Sequence, residues 1–203
     1  MSRRSVALTG VLGTALLGRS LSSRPGSAEF YAETASVAGV WSLGGLAAGR
    51  PTRGRGVLEP AAVGAAAFGA FYAAALVSRR IPVLGAAVGN ALSYAHGGDD
   101  RLVLATTLAN GVGEEVFFRG AVYDAAGDRP VLTSTIAYAA GTAATRNPAL
   151  VLAAGVMGTL FGWQRKRSGG IQAPVITHLT WSALMLRFLP PLFRPGLTAA
   201  RRG

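Results

Sequence analysis

The stretch LVLATTLANGVGEEVFFRGAV (residues 102–122) is apolar along its length, yet it carries Glu114, Glu115 and Arg119. A bilayer-crossing helix needs roughly 20 predominantly apolar residues. Ionisable side chains inside such a helix are costly, and they mark either a functional site or a buried charge network. Reading this stretch as a membrane helix decides how the rest of the chain is read.

The rest of the chain agrees with that reading. Half of the 203 residues are apolar and only 14% are charged, too few to cover the surface of a soluble domain of this length. The mean hydropathy is +0.37. The apolar residues fall in long blocks at 30–48, 57–78, 102–122, 149–163 and 171–189, with shorter ones at 5–17, 81–95 and 131–145. Blocks of that length without amphipathic patterning predict seven or eight helices, the short ones tilted or held within the bundle. The fold class expected is all-α, a polytopic membrane helix bundle located in the cell membrane. Residues 1–80 would form N-terminal transmembrane helices, 81–190 a functional core, and 191–203 a basic tail. Between the blocks, RPTRGRG (50–56), RRIP (79–82), HGGDDR (96–101), AAGDRP (125–130), TRNP (145–148) and RKRSGG (165–170) carry the residues that break helices. Small residues four apart, Gly45/Gly49, Gly85/Gly89 and Gly158/Gly162, predict close helix packing.

The formal charge of +11 invites a nucleic-acid partner, but its distribution argues against one. Arginines and the single lysine cluster at block ends: Arg50, Arg53 and Arg55; Arg79 and Arg80; Arg165, Lys166 and Arg167; Arg201 and Arg202. That is the pattern of a chain facing anionic headgroups, so the lipid bilayer is the expected partner. Basic residues on alternate loops are nearly balanced and choose no orientation. The Arg-, Ala- and Gly-rich composition resembles that of GC-rich bacterial genes. The start MSRRSVALTGVLG has features of a signal segment, including a twin-arginine-like SRR. A long polar gap follows its apolar run, so a retained first helix or interfacial anchor is expected. No internal repeat supports an inverted-repeat carrier. Glu29, Glu33 and Glu59 lie near block ends and are expected at the interface.

On an α-helix, residues four apart share a face, while neighbours are rotated by about 100°. Glu115 and Arg119 are four apart with the acid first, the favourable order for a pair. Glu114 points elsewhere, sharing its face with Asn110 and Phe118. It is left as the carboxylate without a partner, suited to proton transfer. The competing reading makes all three charges one buried network that holds helices together. Of the two histidines, His178 lies inside the last apolar block with Ser182 one turn beyond it, and His96 lies in a Gly-rich loop where no role is expected. The chain has no cysteine, and Glu114, Glu115 and His178 make a poor ligand set because Glu115 answers Arg119. No cofactor is expected and a metal is not favoured.

EEVFFRG (114–120) resembles the EExxxR signature, with its common FRG ending, of the CPBP/ABI family of CaaX prenyl proteases and their bacterial relatives. IQAPVITH (171–178) is similar to that family's last motif, and the resemblance covers roughly residues 85–190. It implies an all-α intramembrane glutamic endopeptidase acting on a membrane-anchored peptide or protein. Carried onto this chain, Glu114 activates water, Glu115 and Arg119 are its structural neighbours, and His178 binds the oxyanion. Two positions depart from the pattern. The second motif, FxxxH, falls in STIAYAAGTAAT (134–145), with Tyr138 as the aromatic residue and Thr142 where histidine is expected. The Asn four residues after the last-motif histidine is Ser182, which still offers one hydrogen bond. Glu114 would then work alone or with Tyr138 as a hydrogen-bond partner. The alternative is a catalytically inactive relative that binds a membrane partner or peptide in the same cavity, and a third is a proton-coupled carrier using Glu114.

Overall fold

The computed structural model describes residues 3–193, and every regular element in it is helical. The helices are α1 (Arg3–Ser20), α2 (Ala28–Ala48), α3 (Leu58–Ser78), α4 (Pro82–His96), α5 (Asp100–Glu114), a π segment (Glu115–Val122), α6 (Tyr123–Ala125), α7 (Pro130–Ala143), α8 (Pro148–Ser168) and α9 (Gln172–Phe188). A 3₁₀ turn, Pro190–Phe193, closes the described chain. The α5, π and α6 segments run on as one rod, so each apolar block of the sequence corresponds to one helical unit. The expected basic tail beyond residue 193, with Arg201 and Arg202, lies outside the described residues.

The helix boundaries follow local chemistry. Ser27, Asp99 and Asn147 cap α2, α5 and α8 by accepting hydrogen bonds from first-turn backbone N–H groups. Proline opens α4, α7 and α8, where its missing N–H costs nothing. Gly169 ends α8 in the left-handed conformation (φ 70°) that a Cβ disfavours.

The rod formed by α5 and the π segment lies at the centre, against α2, α7, α8 and α9. Around it, α1 packs on α2 and α7, α3 on α9, and α7 on α8. Glycines set the spacing. A Cβ on Gly64 would stand 2.7 Å from Thr177 O, on Gly113 2.9 Å from Ala38 O, and on Gly45 2.8 Å from Val116 O. Of the three small-residue pairs expected to pack, Gly158 and Gly162 both meet α7, while Gly49 and Gly89 face open space. The aromatic core is Trp41, Phe117, Phe118 and Tyr138. The α2–α3 loop is strapped to the α8–α9 turn: Ile171 N donates to Thr52 O (2.9 Å), and Gln172 N to Arg53 O (2.7 Å).

Apolar side chains also cover the outside, including Leu8, Leu43, Leu58, Val83, Ile136 and Leu152. One helix, Leu58–Ser78, is by itself long and apolar enough to cross a membrane, with a mean hydropathy of 1.7. Only 11% of its window is buried by the protein, so its apolar surface faces outward rather than into a core.

Two expectations about polar residues are corrected here. Arg165 is not a headgroup-facing charge; it is buried, donating from Nε to Arg119 O (2.9 Å) and from Nη2 to Asp124 Oδ1 (3.0 Å). His96 is the last residue of α4 rather than part of the loop, and it is engaged, with Nδ1 2.9 Å from Leu92 O and Nε2 3.1 Å from Pro190 O. It ties the end of α4 to the closing 3₁₀ turn.

Candidate active site

The motif EVFFRG is wound as an eight-residue π segment, a rare geometry that recurs at functional sites. Its i→i+5 bonding is visible where Tyr123 N donates to Phe118 O. Nearly the whole segment is buried, because α2, α7, α8 and α9 all pack against it: Glu115, Val116, Phe117, Phe118, Arg119, Gly120 and Ala121. Phe118 and Glu114, expected on one face, both contact Tyr138: Phe118 through its ring and Glu114 through the hydroxyl. Phe118 packs with Trp41 and Phe117 and is not among the residues lining the cavity that Glu114 and Asn110 face.

Glu115 and Arg119 are completely buried, and the expected pair forms with Arg119 Nη1 3.4 Å from Glu115 Oε1. Arg119 Nη2 also donates to Gly158 O (3.2 Å), and its guanidinium lies 4.6 Å from the Tyr138 ring centre and 5.1 Å from that of Phe161. Gly158 allows this approach, because a Cβ there would stand 3.3 Å from Arg119 Nη2.

The expected division between a paired and a free glutamate is revised. Glu115 Oε1 is shared, lying 2.9 Å from His178 Nδ1 as well as near Arg119. A carboxylate can only accept, so Nδ1 carries the hydrogen and donates. Glu114 is not without a partner either, since the Tyr138 hydroxyl donates to its Oε2 at 2.7 Å. His178 Nε2 lies 3.8 Å from that same Oε2, too far for a direct hydrogen bond. Both glutamates thus bracket one imidazole. Its ring is stacked on Phe161 (centres 4.7 Å apart, planes at 20°) and buried to 5% exposure.

Glu114, Tyr138, Thr142, His178 and Ser182 all line one cavity of about 600 Å³. These sequence residues are therefore brought together, although they come from α5, α7 and α9. Their orientations differ, however. Thr142 turns its hydroxyl back to its own helix, donating to Tyr138 O (2.9 Å). Ser182 is buried in the cavity wall one turn beyond His178. Two further residues, one in the cavity wall and one packed on His178, carry no motif. Asn110 donates to Thr34 O (3.0 Å) and Thr106 O (2.9 Å), leaving Oδ1 without a partner; its spacing from Glu114 was the available signal. Phe161 braces both His178 and Arg119 through contacts that no spacing rule reveals. Among the described residues, no group of three or more His, Asp or Glu side chains is set to hold a metal ion.

Buried charges of this density need a chemical reason, because isolated ions are expensive to bury. One carboxylate orients an imidazole through Nδ1, and the other faces its Nε2 across a short gap in an open cavity. Such an arrangement can hold and deprotonate a small polar molecule beside a polarised carbonyl.

The family described as type II CAAX prenyl endopeptidase, Rce1-like, matches residues 101–184. That segment runs from the first turn of α5 into α9 and contains the motif residues described above. The match agrees with the resemblance read from the motifs: residues 101–184 are similar to a CaaX protease family. No curated protein and no solved structure matches the chain.

Proposed function

We propose that this chain, CaaX protease-like over residues 101–184, is a multi-pass intramembrane endopeptidase that cleaves a membrane-anchored peptide with water activated by Glu114. The observation that carries the reading is the shared position of Glu114 and His178, 3.8 Å apart on one cavity, with His178 oriented by a buried carboxylate. The outward apolar side chains all round the bundle support the membrane placement.

In the proposed reaction, a water bound at Glu114 gives its proton to that carboxylate as its oxygen attacks the scissile carbonyl. The Tyr138 hydroxyl fixes Glu114 by donating to Oε2. His178, with Nδ1 donating to Glu115, keeps Nε2 toward the reacting atoms. With both carboxyls ionised, Arg119 cancels one charge and a protonated His178 cancels the other. In that form, Nε2–H stabilises the oxyanion, aided by Ser182. Collapse of the tetrahedral intermediate returns the proton from Glu114 to the departing amide nitrogen, so the two products together contain the substrate plus one water. Glu115 and Arg119 act by positioning and do not touch the substrate.

One observation favours the second reading, an inactive relative that binds a peptide in this cavity. Thr142 stands at the second-motif histidine position and spends its hydroxyl on Tyr138 O, so it supplies no base. Incubating purified protein with a panel of membrane-anchored peptides and weighing the products by mass spectrometry separates the two. The endopeptidase reading expects fragment pairs whose masses sum to the substrate plus water, and their loss in His178→Ala. Intact peptides throughout, with peptide binding retained, would establish the binding reading instead.

A further inference from the structure

The cavity that holds Glu114 and His178 extends along α7 to the α7–α8 turn, where Arg146 lines it. Among the cavity-lining residues, Glu114 is the one acid, and Arg146 the one arginine or lysine. Arg146 forms no ion pair among the described residues, whereas Arg19, Arg119 and Arg165 each meet a carboxylate. Its backbone is also unusual. Arg146 is the one non-glycine residue with positive φ (55°) among those described, closing α7 through Arg146 N to Ala143 O at 3.0 Å. A left-handed residue just past a helix end is ordinarily glycine or asparagine, because a Cβ disfavours that conformation. A charged, exposed side chain therefore stands where the backbone alone favours glycine, at the mouth of the site cavity that it helps to line.

We propose that Arg146 anchors a carboxylate of the peptide that occupies this cavity, fixing which bond reaches Glu114. Guanidinium and carboxylate match as two parallel hydrogen bonds, which gives register as well as affinity. Tyr138 lies five residues before the end of α7 at Ala143, about 7.5 Å of helical rise, and Arg146 lies in the turn beyond it, so the anchor stands a few extended residues from Glu114. The carboxylate is either the peptide's C-terminus or an acidic side chain at that distance. This proposal rests on the peptide-cavity reading above and names the substrate feature that reading lacks.

The test uses the full chain carrying Glu114→Gln in phosphatidylcholine nanodiscs, so that binding is read without turnover. Labelled membrane-anchored peptides are compared as free acids, as C-terminal amides, and as amides with Asp or Glu near the end. Amidation and Arg146→Gly are each expected to weaken binding at least about tenfold, with no further loss when combined, and Arg146→Lys to retain part of the affinity. Restoration by the internal acid assigns the side-chain source, and its failure assigns the C-terminus. Arg146→Gly relieves the backbone, so thermal melting should show it at least as stable as the parent; binding is then lost without loss of fold. Equal affinity for acid and amide, losses that multiply independently, or no binding by any free-acid peptide would overturn the anchor. An Arg146 effect that follows anionic lipid content and ignores the peptide would assign the arginine to headgroups and overturn it too. With Glu114 restored, carboxylate-dependent binding without cleavage refutes the hydrolase and leaves the anchor. Cleavage indifferent to the carboxylate does the reverse.

Discussion

Replacing Glu115 by alanine removes the acceptor that both Arg119 and His178 share. The side chain is completely buried, as is Arg119, so no water reaches the guanidinium left behind. Arg119 keeps only Gly158 O and the faces of Tyr138 and Phe161, which satisfy part of its hydrogen-bonding capacity but none of its charge. Breaking a buried ion pair by deleting one partner costs about 3–5 kcal/mol. For a chain of this size, that corresponds to a fall in Tm of about 6–20 °C. Glu114→Ala is the internal comparison. It loses one hydrogen bond from Tyr138 in a cavity open to small molecules, a cost of about 1 kcal/mol. The assay is thermal unfolding of both variants in the same detergent, with Glu115→Ala/Arg119→Ala as the third corner of the comparison. Removing the stranded guanidinium should recover part of the loss. Equal and small losses in Glu115→Ala and Glu114→Ala would refute the shared-acceptor scheme.

Three further outcomes follow from contacts described above. Tyr138→Phe keeps the ring over Arg119 but removes the hydroxyl from Glu114, so Tm should hold while peptide cleavage falls about tenfold; unchanged cleavage would contradict the role. Gly64→Val should destabilise by about 1–3 kcal/mol, because its Cβ meets Thr177 O at 2.7 Å. Gly69→Val, on the same helix but facing open space, should be near neutral, and equal melting of the two would contradict the close α3–α9 contact. Thr142→His restores a base at the second-motif position and should raise cleavage by at least about tenfold. Identical rates before and after would show that this position does not limit the reaction.

The helical units were legible in the sequence because apolar blocks and Gly, Pro and Asp punctuation act locally. So was the gathering of Glu114 and His178, through motifs rather than periodicity. What escaped was set by tertiary contacts. The spacing argument assumed an α-helix through EVFFRG, whereas that segment is wound as a π-helix and is buried on nearly every side. The pairing of Glu115 with His178 spans sixty-three residues of sequence, so no i,i+4 rule could find it. Arg165 looked like a flanking headgroup charge, but it turns inward because Arg119 O and Asp124 offer it acceptors. Thr142 was legible as a departure, and only its hydrogen bond to Tyr138 O shows that its hydroxyl is already engaged.

The central claim is that Glu114 activates water beside His178. The most direct measurement is single-turnover cleavage of a membrane-anchored peptide by the parent protein and by Glu114→Gln, which keeps the side-chain shape and can still accept from Tyr138. Both proteins should melt within a few degrees of each other, so that any change in rate is chemical. The account predicts a fall of at least about a thousandfold, since the variant cannot take the proton from water. Cleavage by Glu114→Gln at the parent's rate would contradict it.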